Sequence, residues 1–302
     1  MKEIAPENAT STRRPTVPAL DEKIGEPIPV LDHGFVSLVD YMGDDQAIVQ
    51  AARVSYGRGT KRSREDRGLI RYLLRHHHTT PFEMCEIKLH VKLPIFVARQ
   101  MIRTRTANVN EYSGRYSILD REFYVPDASV LAAQSSSNRQ GRGDVVSPER
   151  AAQVLEILKR DAENAYDHYE DMLGGAAETQ KTGEETEGIA RELARINLPV
   201  SFYTQWYWKI DLHNLLRFIA FRADAHAQYE IRVYAEAIAS LTKLWVPDAY
   251  EAFVDYQLEA ASLSRMELAA LKIMLKGETP DLAALGLSVR EQAEFKRRFD
   301  LG

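Results

Sequence analysis

Cys85-Glu-Ile-Lys-Leu-His-Val-Lys-Leu93 alternates apolar and polar side chains without a break. Successive strand residues point to opposite faces, so Ile87, Leu89, Val91 and Leu93 share one side with Cys85, while Glu86, Lys88, His90 and Lys92 share the other. The pattern predicts a strand with one buried face. Pro94 stands where a helix would begin, because proline fills a first helical position without losing a bond. Ile95 to about Thr104 continue as that helix, and Gln100 and Arg103 project from one side of its last turn.

Upstream, Phe35–Tyr41 alternates as a second strand. Asp44 or Asp45 caps a helix running towards Ser55, and Ser63 caps the next, whose stripe is Leu69, Ile70, Leu73 and Leu74. Pro81 disfavours helix at Thr80, so His76–Glu83 reads as a turn or loop. Downstream lie a loop from Ala107 to Ser117, a short strand near Glu122–Val125 and a low-complexity loop, Gln134–Asp144. Ser147-Pro148 opens a long helix to about Met172. Further helices are predicted over about 184–196, 211–222 and 230–244. The aromatics between Phe202 and Trp208 read as core or subunit interface. Ser264-x-x-Glu267 and Ser288-x-x-Glu291 are capping boxes that open two final helices.

Helices outnumber strands and no βαβ unit repeats, which predicts an α+β fold. The expected organisation is a helix-rich single domain with a small mixed or antiparallel sheet over residues 31–258. A disordered or loosely wrapped extension, rich in Pro, Thr, Glu and Arg, covers residues 1–30. A helical extension covers 259–302.

The 302 residues carry a net charge of −5, with 45% hydrophobic and 27% charged side chains. That balance is expected of a soluble globular protein and argues against general nucleic-acid binding. No apolar run approaches the roughly 18 residues of a membrane span, and the N-terminus has no signal-peptide pattern. One cysteine, Cys85, excludes an internal disulfide and suits a reducing cytoplasm. Cys85 also shares the apolar face of its strand, where a thiol packs as a small inert hydrophobe. His76-His77-His78 lacks the converging acids or cysteines of a metal site, and no HExxH or CxxC occurs.

Against the acidic whole, Arg99–Arg121 holds five arginines (Arg99, Arg103, Arg105, Arg115, Arg121) and two acids, Glu111 and Asp120. Interleaved with Gln100, Asn108, Asn110, Tyr112, Ser113 and Tyr116, they predict a polar pocket for a flat anion, since guanidinium groups match phosphate and carboxylate. Arg222 follows Leu215 by two helical turns and so sits on an apolar line. It pairs there with Asp224 or Glu230, or else stabilises negative charge developing on a substrate.

These segments together resemble the flavin-dependent thymidylate synthase family. The family signature is Arg-His-Arg, seven residues, then Ser; here it reads Arg103-Thr104-Arg105, seven residues, Ser113. Asn110–Tyr116, Thr80-Pro-Phe-Glu83, Ala194-Arg-Ile-x-Leu-Pro199, Tyr203-Thr204 and Leu216-Arg-Phe-x-x-x-Arg-Ala-Asp-x-His-Ala-Gln-x-Glu-Ile-Arg232 also match. The resemblance spans about residues 30–255. It implies conversion of dUMP to dTMP with 5,10-methylenetetrahydrofolate as carbon donor, FAD as hydride carrier and NADPH as reductant. It places Gln100, Arg103, Glu111, Ser113, Gly114, Arg115 and Arg195 around dUMP, with Arg222 activating the uracil ring. Along FAD it places Ser55, His78, Thr80, Glu83, Arg103, Thr104, Arg105, Glu111, Asp211, His213 and Arg217. It also implies a homotetramer with sites between subunits.

The chain departs from the family at Thr104, which replaces the motif histidine. Asp211 and His213 stand where the family often has Asn and Arg, and Arg217 where others have Asn. His213 and Arg217, one turn apart, would jointly replace the missing charge. The competing readings are a non-catalytic nucleotide- or RNA-binding module and a histidine-dependent metal hydrolase.

Overall fold

The predicted strand over 85–93 forms as β3 (Glu86–Pro94), the middle strand of a five-stranded antiparallel sheet. The computed structural model describes residues 13–54, 66–135, 141–175 and 187–301. Among these, the sheet order is β1 (Pro27–Val30), β2 (Gly34–Met42), β3, β7 (Tyr203–Asp211) and β4 (Asn108–Glu111). The register sets Ile87, Leu89, Val91 and Leu93 opposite Ile210, Trp208, Trp206 and Thr204. All eight are buried. Covering a large apolar side chain is worth about 1.5–3 kcal/mol, so this inner face is what fixes the register.

The helices that bury it are α8 (Leu212–Arg222) and α9 (Tyr229–Trp245). Ile231, Tyr234, Ala235, Ile238, Leu241 and Trp245 of α9 recur at helical spacing and are buried. Tyr234 donates to the Lys92 carbonyl at 2.7 Å. Its hydroxyl passes so close to Gly34 that a Cβ there would lie 2.0 Å away, so only glycine fits. The opposite sheet face is polar and half-covered, with His90 and Gln205 paired at 2.9 Å.

Several expectations are corrected. The stretch 13–30 is fastened rather than loose: Leu20 is fully buried, Tyr41 Oη donates to Asp21 at 2.5 Å, and Pro27–Val30 pairs with β2. Its low apolar content misled, because an edge strand needs few buried side chains. Thr80–Glu83 forms a one-turn helix, since proline is tolerated in a first turn. The helix after Pro94 stops at Met101, so Arg103 lies beyond its end. Asn108–Glu111, read as loop, is the edge strand β4, and Phe202–Trp208 is largely β7. Near Glu122–Val125 only a bridge between Phe123 and Phe202 forms. Part of the 134–144 loop belongs to a hairpin of β5 (Ala132–Gln134) and β6 (Arg142–Val145). Ser55, Ser63 and residues 184–186 lie outside the described residues.

The chain divides into two compact units, Met1–Phe253 and Val254–Gly302. In the second, helices Arg265–Met274 and Val289–Arg298 each open with the expected capping box, at Ser264/Glu267 and Ser288/Glu291. Ala270, Leu282, Leu287 and Phe295 form its own small core.

Candidate active site

Helix α5 (Ile95–Met101) leaves β3 at Pro94 and runs back across the sheet, because β4 then starts opposite Lys209, two residues before Asp211. The turn between α5 and β4 therefore arrives beside the start of α8. Backbone bonds from Arg103 N–H to Gln100 O (3.3 Å) and Thr104 N–H to Met101 O (3.0 Å) shape it. Asp211 caps α8 by accepting from the Asn214 N–H at 3.0 Å and its amide at 2.7 Å.

Between turn and helix lies a cavity of about 510 Å³, lined by Arg103, Thr104, Arg105, Thr106, Asn214, Arg217, Phe218, Phe221 and Arg222. Four arginines thus line one space. Among the described residues none of the four has a carboxylate within ion-pair distance. Arg217 lies over the Phe221 ring at 5.8 Å. Burial, and then the neighbouring Arg103 charge, lower the Arg222 pKa from its ordinary value. Both sequence-proposed partners of Arg222 are engaged elsewhere: Asp224 with His226 at 2.9 Å, and Glu230 with Arg142. Clustered cations without counter-charge make an anion site, the residue types suiting phosphate or a polarised ring oxygen.

The other sequence-proposed residues fall into further groups. Ser113, Gly114 and Arg115 form a turn in which Ser113 Oγ accepts from the Arg115 N–H at 3.3 Å. Gly114 is buried against Leu119. Arg115 pairs with Glu192 at 3.1 Å, and Arg191 donates to the Tyr116 carbonyl at 2.7 Å. This ties the turn to helix α7 (Arg191–Ala194), beside the exposed Arg195. Glu111, on β4, accepts from Thr204 Oγ1 at 2.6 Å. Gln100 donates to Gln228. His78 stacks on Tyr72 with ring centroids 6.0 Å apart, in the turn leading to Thr80 and Glu83. His213 sits on α8 but not in the cavity wall.

Sequence reading missed Thr106, Asn214, Phe218 and Phe221 as cavity residues. The signal was available for two of them, since Asn214 and Phe221 lie three and four positions from Arg217 on the same helix face.

Cys85 is 0% exposed, and burial, then the charges of Asp44 and Asp45, push its thiol up to about 12. Among the described residues no group of three or more His, Cys, Asp or Glu side chains is placed to hold a metal ion. Nor is any described helix long and apolar enough to cross a membrane.

The sequence profile of the family described as "Thymidylate synthase complementing protein" matches residues 37–248. The flavin-dependent thymidylate synthase of Ruegeria pomeroyi is 60% identical over 285 residues, covering 94% of this chain and 92% of that one. This chain belongs to the flavin-dependent thymidylate synthase family. The family enzyme of Rickettsia conorii is 56% identical, covering 96% of this chain and 99% of its own. A solved UMP/dUMP methylase, PolB from Streptomyces cacaoi bound with 5-Br UMP, superposes with a TM-score of 0.66. It is 34% identical, covering 76% of this chain and 98% of its own. In this flavin-dependent thymidylate synthase chain, the signature arginines Arg103 and Arg105 both reach the cavity, and Thr104 lines it where the family motif has histidine.

Proposed function

We propose that the chain methylates dUMP reductively to dTMP, taking the carbon from 5,10-methylenetetrahydrofolate. The observation that carries this reading is the cavity lined by four arginines with no carboxylate paired to them among the described residues, in a chain of this family. Arg222 is the catalytic residue. Partly desolvated, its charge acts in a medium of lower dielectric, where stabilising negative charge at N3 and O2 of the uracil activates C5. No cysteine nucleophile takes part, since the buried, protonated Cys85 thiol cannot attack. Gln100, Arg103, Glu111, Ser113, Gly114, Arg115 and Arg195 hold the nucleotide.

The donor set fits a flavin dinucleotide: Arg105, Arg217 and Asn214 offer phosphate donors, and Phe221 an exposed ring. A bound FAD supplies hydride transfer, with NADPH as its reductant. His78, Thr80, Glu83, Thr104, Asp211 and His213 complete its proposed contacts, with Ser55 from outside the described residues.

The site is completed between subunits of a homotetramer. Tyr116 (78% exposed), Ile196 (74%) and Phe221 (64%) flank these residues, and apolar exposure next to a polar site supports an interface. We assign the enzyme to the cytoplasm, where a lone cysteine stays reduced.

The test is rescue of a thymidine-requiring strain lacking its own synthase, alongside the absorbance of the purified protein. Growth without thymidine and a yellow flavin spectrum are expected. A well-expressed, flavin-loaded protein that fails to rescue would sink the reading, and a chain that binds dUMP but takes up no flavin would favour a binding module.

A further inference from the structure

Glu230, at the start of α9, is 3% exposed, and among the described residues its carboxylate meets only donors. Arg142, from β6, donates to both oxygens, at 2.5 and 2.7 Å. Tyr124 Oη donates to Oε1 at 3.2 Å, and Gln228 Nε2 donates to Oε2 at 2.9 Å. Burial works to raise the Glu230 pKa, but the bonds from Arg142 and Gln228 outweigh it and hold the carboxyl below its usual value.

An ionised carboxylate accepts only. Gln228 must therefore turn its NH₂ towards Glu230, which leaves its carbonyl oxygen facing the other way. Gln100 meets that oxygen, and meets it with its own Nε2. The polarity of the first link thus propagates along the chain of amides. Either glutamine alone has two amide orientations of similar shape, and only the carboxylate at the end selects between them.

We propose that Glu230, clamped by Arg142, is a positioning residue that acts through Gln228 to fix the Gln100 amide, leaving the Gln100 carbonyl oxygen to accept a hydrogen bond from the nucleotide. The inference rests on the assignment of Gln100 to the dUMP site. It gives the β5–β6 hairpin a role in the site although that hairpin does not line the arginine cavity. Replacing Glu230 by glutamine supplies an end group that donates or accepts, so the selection is lost while shape is kept.

The experiment is a double-mutant cycle on the full-length enzyme, read by dUMP titration and by dUMP KM against kcat. Gln100→Ala is expected to weaken dUMP binding about tenfold, the size of one lost neutral hydrogen bond. Glu230→Gln is expected to weaken it about twofold, because the productive amide orientation then holds only about half the population. The double variant is expected to be no weaker than Gln100→Ala alone, with KM raised and kcat nearly unchanged. Should Glu230→Gln fold poorly, Gln228→Leu breaks the same relay at an exposed position and is expected to give the same loss. Losses that multiply, or a Gln228→Leu enzyme with full affinity, overturn the relay. A wild type that binds no dUMP at all overturns the functional assignment beneath it.

Discussion

Arg222 and Arg103 line one cavity as neighbouring cations, and Arg103 adds to the cost that burial sets on the Arg222 charge. They come from elements more than a hundred positions apart. A folded chain tolerates such a pair when a ligand supplies the counter-charge, so the cost is the signature of the site. Stability and activity at these positions should then move in opposite directions.

Arg222→Ala is expected to lower kcat/KM for dTMP formation by at least about 100-fold, the scale of one lost electrostatic stabiliser. Its thermal midpoint without ligand should equal or exceed that of the wild type, because a partly desolvated like charge is removed. Adding dUMP should raise the midpoint of the wild type more than that of the variant. Differential scanning fluorimetry with and without dUMP reads both. A variant markedly less stable than wild type would show that Arg222 serves the fold instead.

Cys85→Ala should keep turnover while losing stability. Sγ lies against Gly43, where an added Cβ would come within 2.7 Å, and bonds the Asp44 carbonyl at 3.6 Å. Removing it leaves a small void worth about 1–2 kcal/mol. Urea unfolding and dTMP formation, measured on the same preparation, separate the two effects. Loss of turnover in a folded variant would return the cysteine to the mechanism.

How much of this could be read in advance depended on where the signal was local. The alternation at 85–93 announced β3 because one face carries all its burial. Thr204, Trp206, Trp208 and Ile210 alternate just as well, yet the density of aromatics there hid the strand among readings as core or interface. Asn108-Val-Asn-Glu111 carries one apolar residue and pairs only because β7 offers a free edge. No local pattern reports that. The arginines were visible as residues, whereas their convergence depends on α5 doubling back across the sheet.

Asp45 should impose a pH dependence on stability. Its carboxylate accepts from the N–H groups of Asp248 and Ala249, both at 2.9 Å, at the start of helix α10 (Pro247–Phe253). Burial outweighs those bonds and raises its pKa from 3.8 to about 6. With the folded value above the unfolded one, the folded state binds the extra proton between them. The contribution is full below 3.8 and is lost as pH rises through about 6. The stability difference between wild type and Asp45→Asn should therefore fall across that window, by at most about 1.4 kcal/mol per pH unit. Denaturant melts at stepped pH give the difference, and a flat profile would show that burial does not hold the proton.

Arg217 decides whether this chain has compensated for its departures along α8, the helix proposed to hold the flavin. It lines the cavity one turn after His213, and its guanidinium lies over the ring of Phe221, another residue of the same wall. His213 lies outside that wall, so the charge falls mainly to Arg217. Arg217→Ala should weaken FAD binding about tenfold or more and flatten its salt dependence, since one phosphate-facing cation is gone. His213→Ala alone should cost less, and the double variant little more than Arg217→Ala. Fluorescence titration of FAD at two ionic strengths reads all three. If the double variant keeps wild-type affinity, the pair does not replace the missing arginine and the dinucleotide must be held from elsewhere.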